Sequence, residues 1–253
     1  MTTFARRALR GTVLPFVLLT VWQVASSTGA VDPRILPPLE TVAATALGQL
    51  ADGRLLGDLG ASLARDLTGL SIGVTAGLIL GTLLGLSRVA DRLLSPSFDA
   101  LKQIAVFAWI PLISMWFGIG ETAKVAFIAI AAFTPVVVNT CEGVRGASRQ
   151  LVGVGAMLTF SRAQLVTRVF LPSAIPSVVT GIHLALIFSW LATVGAEYFM
   201  TVGPGIGGLI TEGRERFHMD LVLLGVLVLG TVGWLLNKLA TLAETRLVRW
   251  RAA

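Results

Sequence analysis

His183 and His218 are the two histidines of the chain, and neither stands in an H-E-x-x-H pattern, so the helix-borne zinc site that such a pair builds is not written here. Cys141 is the single cysteine; it excludes an internal disulfide and a multi-cysteine metal site, and reads as a small residue at the end of an apolar run. None of Lys102, Lys124 and Lys238 follows a glycine, so no phosphate-binding Walker A loop is present. Gly69-Leu70-Ser71-Ile72-Gly73 spells the G-x-S-x-G elbow of serine hydrolases, but that elbow needs a strand before it, and here it opens an apolar helical run. Gly203 to Gly208 spells G-x-G-x-x-G with no βαβ unit around it, which leaves a glycine turn, dipping back toward the membrane, rather than a dinucleotide cradle. The chain therefore reads as no enzyme, with no catalytic residue, no metal site and no cofactor of its own.

The elements that carry these residues are apolar. Hydrophobic residues make up 55% of the 253 and charged residues 13%, about half the charged share of an ordinary soluble domain. The mean hydropathy of +0.82 agrees. The expected fold is all-α, a polytopic membrane protein of about six transmembrane helices in one domain, 1–253, since a span needs about 20 apolar residues. The runs are Gly11 to Ala25, Leu67 to Leu86, Phe98 to Phe117 interrupted by Pro111, Ala123 to Thr140 kinked near Pro135, Pro176 to Ala196, and Leu221 to Leu239. The first run, behind Arg6, Arg7 and Arg10, reads as a retained span rather than a cleaved signal segment. Glu40 to Leu50 has the spacing of an interfacial amphipathic helix. Gly69, Gly73, Gly77, Gly81 and Gly85 fall four apart on one helix face, which predicts close approach of another backbone.

Charge sets the expected orientation. With the amino terminus inside, the outer segments hold Arg34, Arg54, Arg65, Lys124, Arg214 and Arg216, and the rest of the 20 basic residues lie inside. The positive-inside rule then puts both termini, and the polar stretch Cys141 to Pro172, in the cytoplasm. The net charge of +6 is explained by span ends and calls for no nucleic acid. Acids lie near span ends, as Asp99 and Glu197 do, unlike the buried mid-membrane acids of proton-coupled carriers. That weighs against a stand-alone secondary transporter and leaves a passive pathway driven from outside. Candidates to line or gate it are Gln103, Ser114, Asn139, Ser189, Thr193 and Glu197, each equally able to make a helix–helix hydrogen bond.

The stretch 141–172 carries Arg145, Arg149, Arg162 and Arg168 against one acid, Glu142. It reads as a helix over 150–158, a corner at Thr159-Phe160, and a second helix over 161–170 ended by Pro172. This loop resembles the cytoplasmic "EAA" loop of ABC-importer permeases: Glu-Ala-Ala, three residues, Gly, nine residues, Ile-x-Leu-Pro. Leu171-Pro172 matches its end, Val169 falls on the Ile, Thr159 on the Gly, and Gly153, Val154 and Gly155 on Glu-Ala-Ala. The departures remove a carboxylate and put a β-branched residue where the turn wants a left-handed backbone. Ile110-Pro111-Leu112, Trp116 to Glu121, Asn139-Thr140, Ala196-Glu197 and Gly205-Ile206-Gly207 extend the resemblance to the permeases of binding-protein-dependent (type I) importers for sulfonates, taurine and nitrate, over about Leu36 to Trp250.

The resemblance implies a permease of the plasma (cell inner) membrane. It pairs with itself or with a similar permease, on two cytoplasmic ATP-binding subunits that hold the ATP and Mg, and is served by an extracellular solute-binding protein. It implies that Gly153, Val154, Gly155, Thr159, Phe160, Ser161 and Arg162 dock the ATPase as a coupling helix-turn-helix, Arg162 as a donor, and that Glu197 serves as an outer gate or structural residue. The implied substrate is a small anion, an alkanesulfonate or taurine first, with nitrate, an aromatic acid or a vitamin precursor as alternatives.

Overall fold

The computed structural model describes residues 3–200 and 203–247, with side chains described from Val13 onward, apart from Pro15 and Leu247. Arg6, Arg7 and Arg10 as side chains, and Arg249 and Arg251 altogether, lie outside the described residues. Among the described residues eleven α-helices run in order: α1 (Thr3–Ser27), α2 (Leu39–Ala51), α3 (Arg54–Leu86), α4 (Arg88–Leu101), α5 (Ile110–Phe117), α6 (Glu121–Arg145), α7 (Arg149–Met157), α8 (Arg162–Leu165), α9 (Leu171–Phe199), α10 (Ile206–Glu215) and α11 (Met219–Leu247). No strand occurs among the described residues.

α6 is the centre of the bundle, with α3 and α9 packed on its two sides. The glycine ladder explains one of these seams. A Cβ added at Gly69, Gly73, Gly77, Gly81 or Gly85 would lie 2.5–2.7 Å from an atom of α6, and the side chains met are Ile128, Ala132 (2.8 Å, beside the Ala129 carbonyl at 2.5 Å), Val136, Thr140 and Val144 in turn. Ladder and counter-ladder climb together in steps of four, so α3 and α6 are parallel and their backbones touch where side chains are missing. α9 returns antiparallel, with Gly143 against Ala174 and Ser177, and Gly181 against Asn139 and Pro135. α11 then runs antiparallel to α9: Trp190 donates to the Leu229 carbonyl and His183 meets Asn237 and Glu244.

Among the described residues four stretches are long and apolar enough to cross a membrane: 54–86, 121–145, 162–199 and 219–246. Parallel α3 and α6 require the chain to cross back between them, and α4 with the 106–117 segment makes that fifth crossing, bent by 93°. The expected third span is thus not one helix over Phe98 to Phe117. It breaks at 102–105, and Pro111 opens α5 at its first turn, where a missing N–H costs nothing. Of α1, the described apolar stretch is Phe16–Ser27, shorter than a span. The broad exposed apolar surface, from Leu14 and Phe16 to Ile79, Leu235 and Leu239, suits lipid rather than water.

Two further boundaries differ from the sequence reading. α3 starts at Arg54, 33 residues in all, because Asp58, Ser62 and Asp66 continue the glycine stripe toward the amino end as a buried polar stripe. Pro172 does not end a helix. It stands in the first turn of α9, and the residues before it, Val166–Phe170, widen into a π turn. Proline cannot donate to the carbonyl four residues back and its ring presses on it; the wider turn absorbs that misfit and the helix continues. Residues 162–199 thereby form one 38-residue rod.

Candidate functional site

At one end of the bundle, α7 and α8 form the elbow expected at Thr159-Phe160. Thr159 has φ of 54°, the left-handed conformation. Its N–H bonds the Ala156 carbonyl and the Phe160 N–H bonds the Gly155 carbonyl, both at 3.0 Å, the two bonds of a Schellman stop. Phe160 packs back on Gly155, whose added Cβ would meet Leu165 at 2.7 Å and the Phe160 ring at 3.2 Å. The Arg168 guanidinium lies 5.4 Å from the centre of the Phe160 ring. Ser161 then caps α8 in a reciprocal box: its hydroxyl accepts from the Gln164 N–H and its own N–H donates to Gln164 Oε1. The corner is rigid on both sides.

Gly155 is buried, whereas Gly153, Val154, Thr159, Ser161 and Arg162 are exposed and Phe160 is half-buried. The outward face of the elbow carries Leu151, Val154, Met157 and Leu158, with Met157 86% exposed. An apolar face of this kind on a short helix with Arg149 and Arg162 beside it is built for contact. Arg145 fixes the same end by donating to the Leu84 carbonyl and pairing with Asp91 of α4.

The opposite end holds a buried polar cluster. Arg65 of α3 and Glu197 of α9 form an ion pair with both side chains 2% exposed. Glu197 Oε1 also accepts from the Ser62 hydroxyl at 2.7 Å, and Oε2 from the Gly207 N–H at 2.8 Å. The Ile206 N–H donates to Ser62 Oγ and the Gly205 N–H to Asp58 Oδ1, each at 3.0 Å. The open amides at the start of α10 are thus capped by side chains from α3 and α9, two of them acids, as the positive end of a helix favours. Gly205 and Gly207 follow from this: a Cβ at either would fall 2.5–2.6 Å from Glu197. On the other edge of Arg65, Nε and Nη2 each bond an oxygen of Glu121 at 2.7 Å, and Nη2 also donates to the Pro204 carbonyl at 3.2 Å. Lys124 Nζ stands 3.7 Å from Glu121 Oε1, its side chain 1% exposed. A polar cavity of about 280 Å³ opens beside the 203–205 turn, between Arg54, Asp58 and Glu212.

Of the six residues expected to line or gate a pathway, three come together. Ser189, Thr193 and Glu197 form one buried stripe on α9 facing the α3 stripe, with the Thr193 hydroxyl 3.1 Å from Asp66 Oδ1. The other three stand apart. Gln103 is exposed in the break after α4, next to an apolar cavity of about 310 Å³ between Phe98, Trp109, Phe133 and Phe188. Ser114 is half-buried on α5. Asn139 donates to the Pro135 carbonyl at 2.8 Å and packs under Gly181.

The sequence reading treated Arg65 and Lys124 as outer-segment charges and passed over Asp58, Ser62 and Asp66. Their spacing was the available signal, since 58, 62 and 66 also step by four and lead into Gly69 three residues on. It also missed the apolar face of α7, where Leu151, Val154 and Leu158 recur at three and four residues.

Residues 73–252 match the family described as binding-protein-dependent transport system inner membrane component. SsuC of Bacillus subtilis, named for aliphatic sulfonates transport, is 35% identical over 96% of this chain and 88% of its own. The taurine transport system permease protein TauC of Escherichia coli is 33% identical over 92% of this chain and 86% of its own. The bicarbonate transport system permease protein CmpB of Synechococcus elongatus is 32% identical over 96% of this chain and 92% of its own. Among solved structures, the fold is similar to a chain of the inward-facing MetNI methionine ABC transporter, with a TM-score of 0.62 at 17% identity, covering 77% of this chain and 96% of that one. The apolar helices packed around α6, the elbow at one end and these relatives over nearly the whole length lead to one assignment: the chain belongs to the inner-membrane permeases of binding-protein-dependent ABC importers.

Proposed function

We propose that this permease forms the pathway for a small oxyanion, an alkanesulfonate or taurine first. Relatives named for aliphatic sulfonates, taurine and bicarbonate transport support an anionic solute. Nitrate, an aromatic acid or a vitamin precursor is the alternative cargo. The chain works as a pair, with a second copy or a similar permease, on two ATPase subunits that bind ATP and Mg, while a solute-binding protein delivers from outside. α1 completes six spans, and both termini and the elbow face the cytoplasm, in keeping with the distribution of arginine.

The observation that carries the ATPase contact is the exposed apolar face of α7, Leu151, Val154, Met157 and Leu158, on a corner locked by Thr159 and Ser161. In this reading Gly153, Val154 and Arg162 touch the motor, while Gly155, Thr159, Phe160 and Ser161 hold the corner stiff. When ATP closes the nucleotide dimer, a pull on α7 passes through the corner into the 162–199 rod. At 1.5 Å per residue that rod spans on the order of 55 Å, and Ser189, Thr193 and Glu197 lie toward its far end. A rigid-body tilt at the elbow therefore moves the polar cluster and switches the opening from one side to the other.

Purification of the tagged chain from membranes in mild detergent tests the assembly: a nucleotide-hydrolysing subunit co-purifies with the wild type. Recovery of the permease alone, active in ATP-free liposomes, would refute the importer reading.

A further inference from the structure

The contacts around Glu121 are inverted relative to an ordinary surface ion pair. Its cations are buried and the carboxylate is the part that water reaches: Arg65 is 2% and Lys124 1% exposed as side chains, Glu121 59%. The carboxylate sits across the outer fork of Arg65 with two parallel bonds of 2.7 Å, the geometry a guanidinium offers equally to a carboxylate or a sulfonate. Lys124 adds a second positive charge at 3.7 Å, and Glu121 stands at the first turn of the 25-residue α6, where the helix dipole is positive. The inner nitrogen of Arg65, Nη1, is held separately by Glu197, so the fork stays aimed when Glu121 leaves. Gly203, at φ of 93°, backs the site; a Cβ there would lie 3.4 Å from Glu121 Oε1.

We propose that Glu121 is a placeholder for the transported anion, and that a sulfonate or carboxylate group arriving from solvent displaces it from Arg65 and Lys124. Resting on the importer reading, this names the first anion site of the pathway. The exchange swaps one oxyanion for another at nearly constant charge, so Arg65 and Lys124 keep the counter-charge that Glu121 supplies, whose loss would be costly. The displaced Glu121 swings into solvent, where it is already more than half exposed. Asp66, the next residue after Arg65, is engaged by Thr193 and Asp58 by the Gly205 amide, so neither takes the vacated fork.

The test is thermal unfolding of the assembled complex in lipid nanodiscs with ethanesulfonate as probe, against sodium chloride at equal ionic strength and dimethyl sulfone as a neutral analogue. Glu121→Gln removes the competing carboxylate. Its complex melts below wild type without probe, and ethanesulfonate raises its midpoint by several degrees, more than it raises wild type. Glu121→Asp, which retracts the carboxylate by one methylene, behaves in between and serves if the glutamine variant does not assemble. Equal shifts in wild type and both variants, no shift in any, or the same shift with dimethyl sulfone would overturn the site. Stimulation of wild-type ATP turnover by loaded binding protein is measured on the same sample. Turnover without a probe shift rejects the placeholder alone, and absence of turnover rejects the importer reading.

Discussion

Arg65 and Glu197 meet at the end of the bundle opposite the elbow, both side chains 2% exposed, and join α3 to α9. The pair also fixes the chain between α9 and α10, because Glu197 accepts the Gly207 N–H and Arg65 donates to the Pro204 carbonyl.

Removing one partner leaves a buried charge. Arg65→Leu or Glu197→Leu alone is expected to cost about 3–5 kcal/mol, and the double leucine variant less than either single one. Thermal melts of the four proteins in one detergent give the comparison; a double loss equal to the sum of the singles would mean the two residues act independently.

The glycine ladder makes a position-specific claim. Gly73→Ala puts a Cβ 2.5 Å from the Ala129 carbonyl oxygen, a backbone atom that cannot step aside, and is expected to destabilise by about 1–3 kcal/mol. Gly230→Ala on α11 meets nothing within 4 Å and is expected to leave the melting temperature unchanged. Similar melts for the two variants would contradict the backbone contact between α3 and α6.

Thr159 adopts the left-handed conformation that glycine takes without penalty. Thr159→Gly is expected to stabilise the corner by about 1 kcal/mol, while Ser161→Ala loses the α8 cap and costs about 1 kcal/mol. Limited proteolysis at the 157–162 corner reads both: slower cleavage for the first, faster for the second.

The two ends of the bundle can be told apart chemically. Met157 is 86% and Phe217 82% exposed, and they lie at opposite ends. In a Cys141→Ser background, Phe217→Cys is expected to react with an impermeant maleimide on intact cells and Met157→Cys only after lysis. The reverse pattern would invert the orientation.

What could be read from the sequence was what periodicity encodes. The glycine face of α3, the corner at Thr159 and the helical class all follow from spacing and from backbone preference. Thr159 was visible as a misfit through its departure from the EAA pattern, and its φ shows the strain that the departure implies. The Arg65 cluster was not legible, because its members lie on α3, α6 and α9 and only packing brings 65, 121 and 197 together. Hydropathy pushed the start of α3 past Arg65, since a buried charge with partners looks, in one dimension, like an exposed one. Pro172 misled for a related reason. Proline ends a regular helix, and nothing local reveals that a π turn ahead of it keeps the rod continuous.

In the proposed mechanism a separate motor drives this chain through the elbow. ATP turnover by the reconstituted complex, with and without loaded binding protein, tests it most directly in wild type, Met157→Asp and Arg162→Glu. Normal expression and pairing of the permease are expected in both variants, with stimulated turnover abolished or reduced to the unstimulated level. Stimulated turnover at the wild-type rate in both would contradict it.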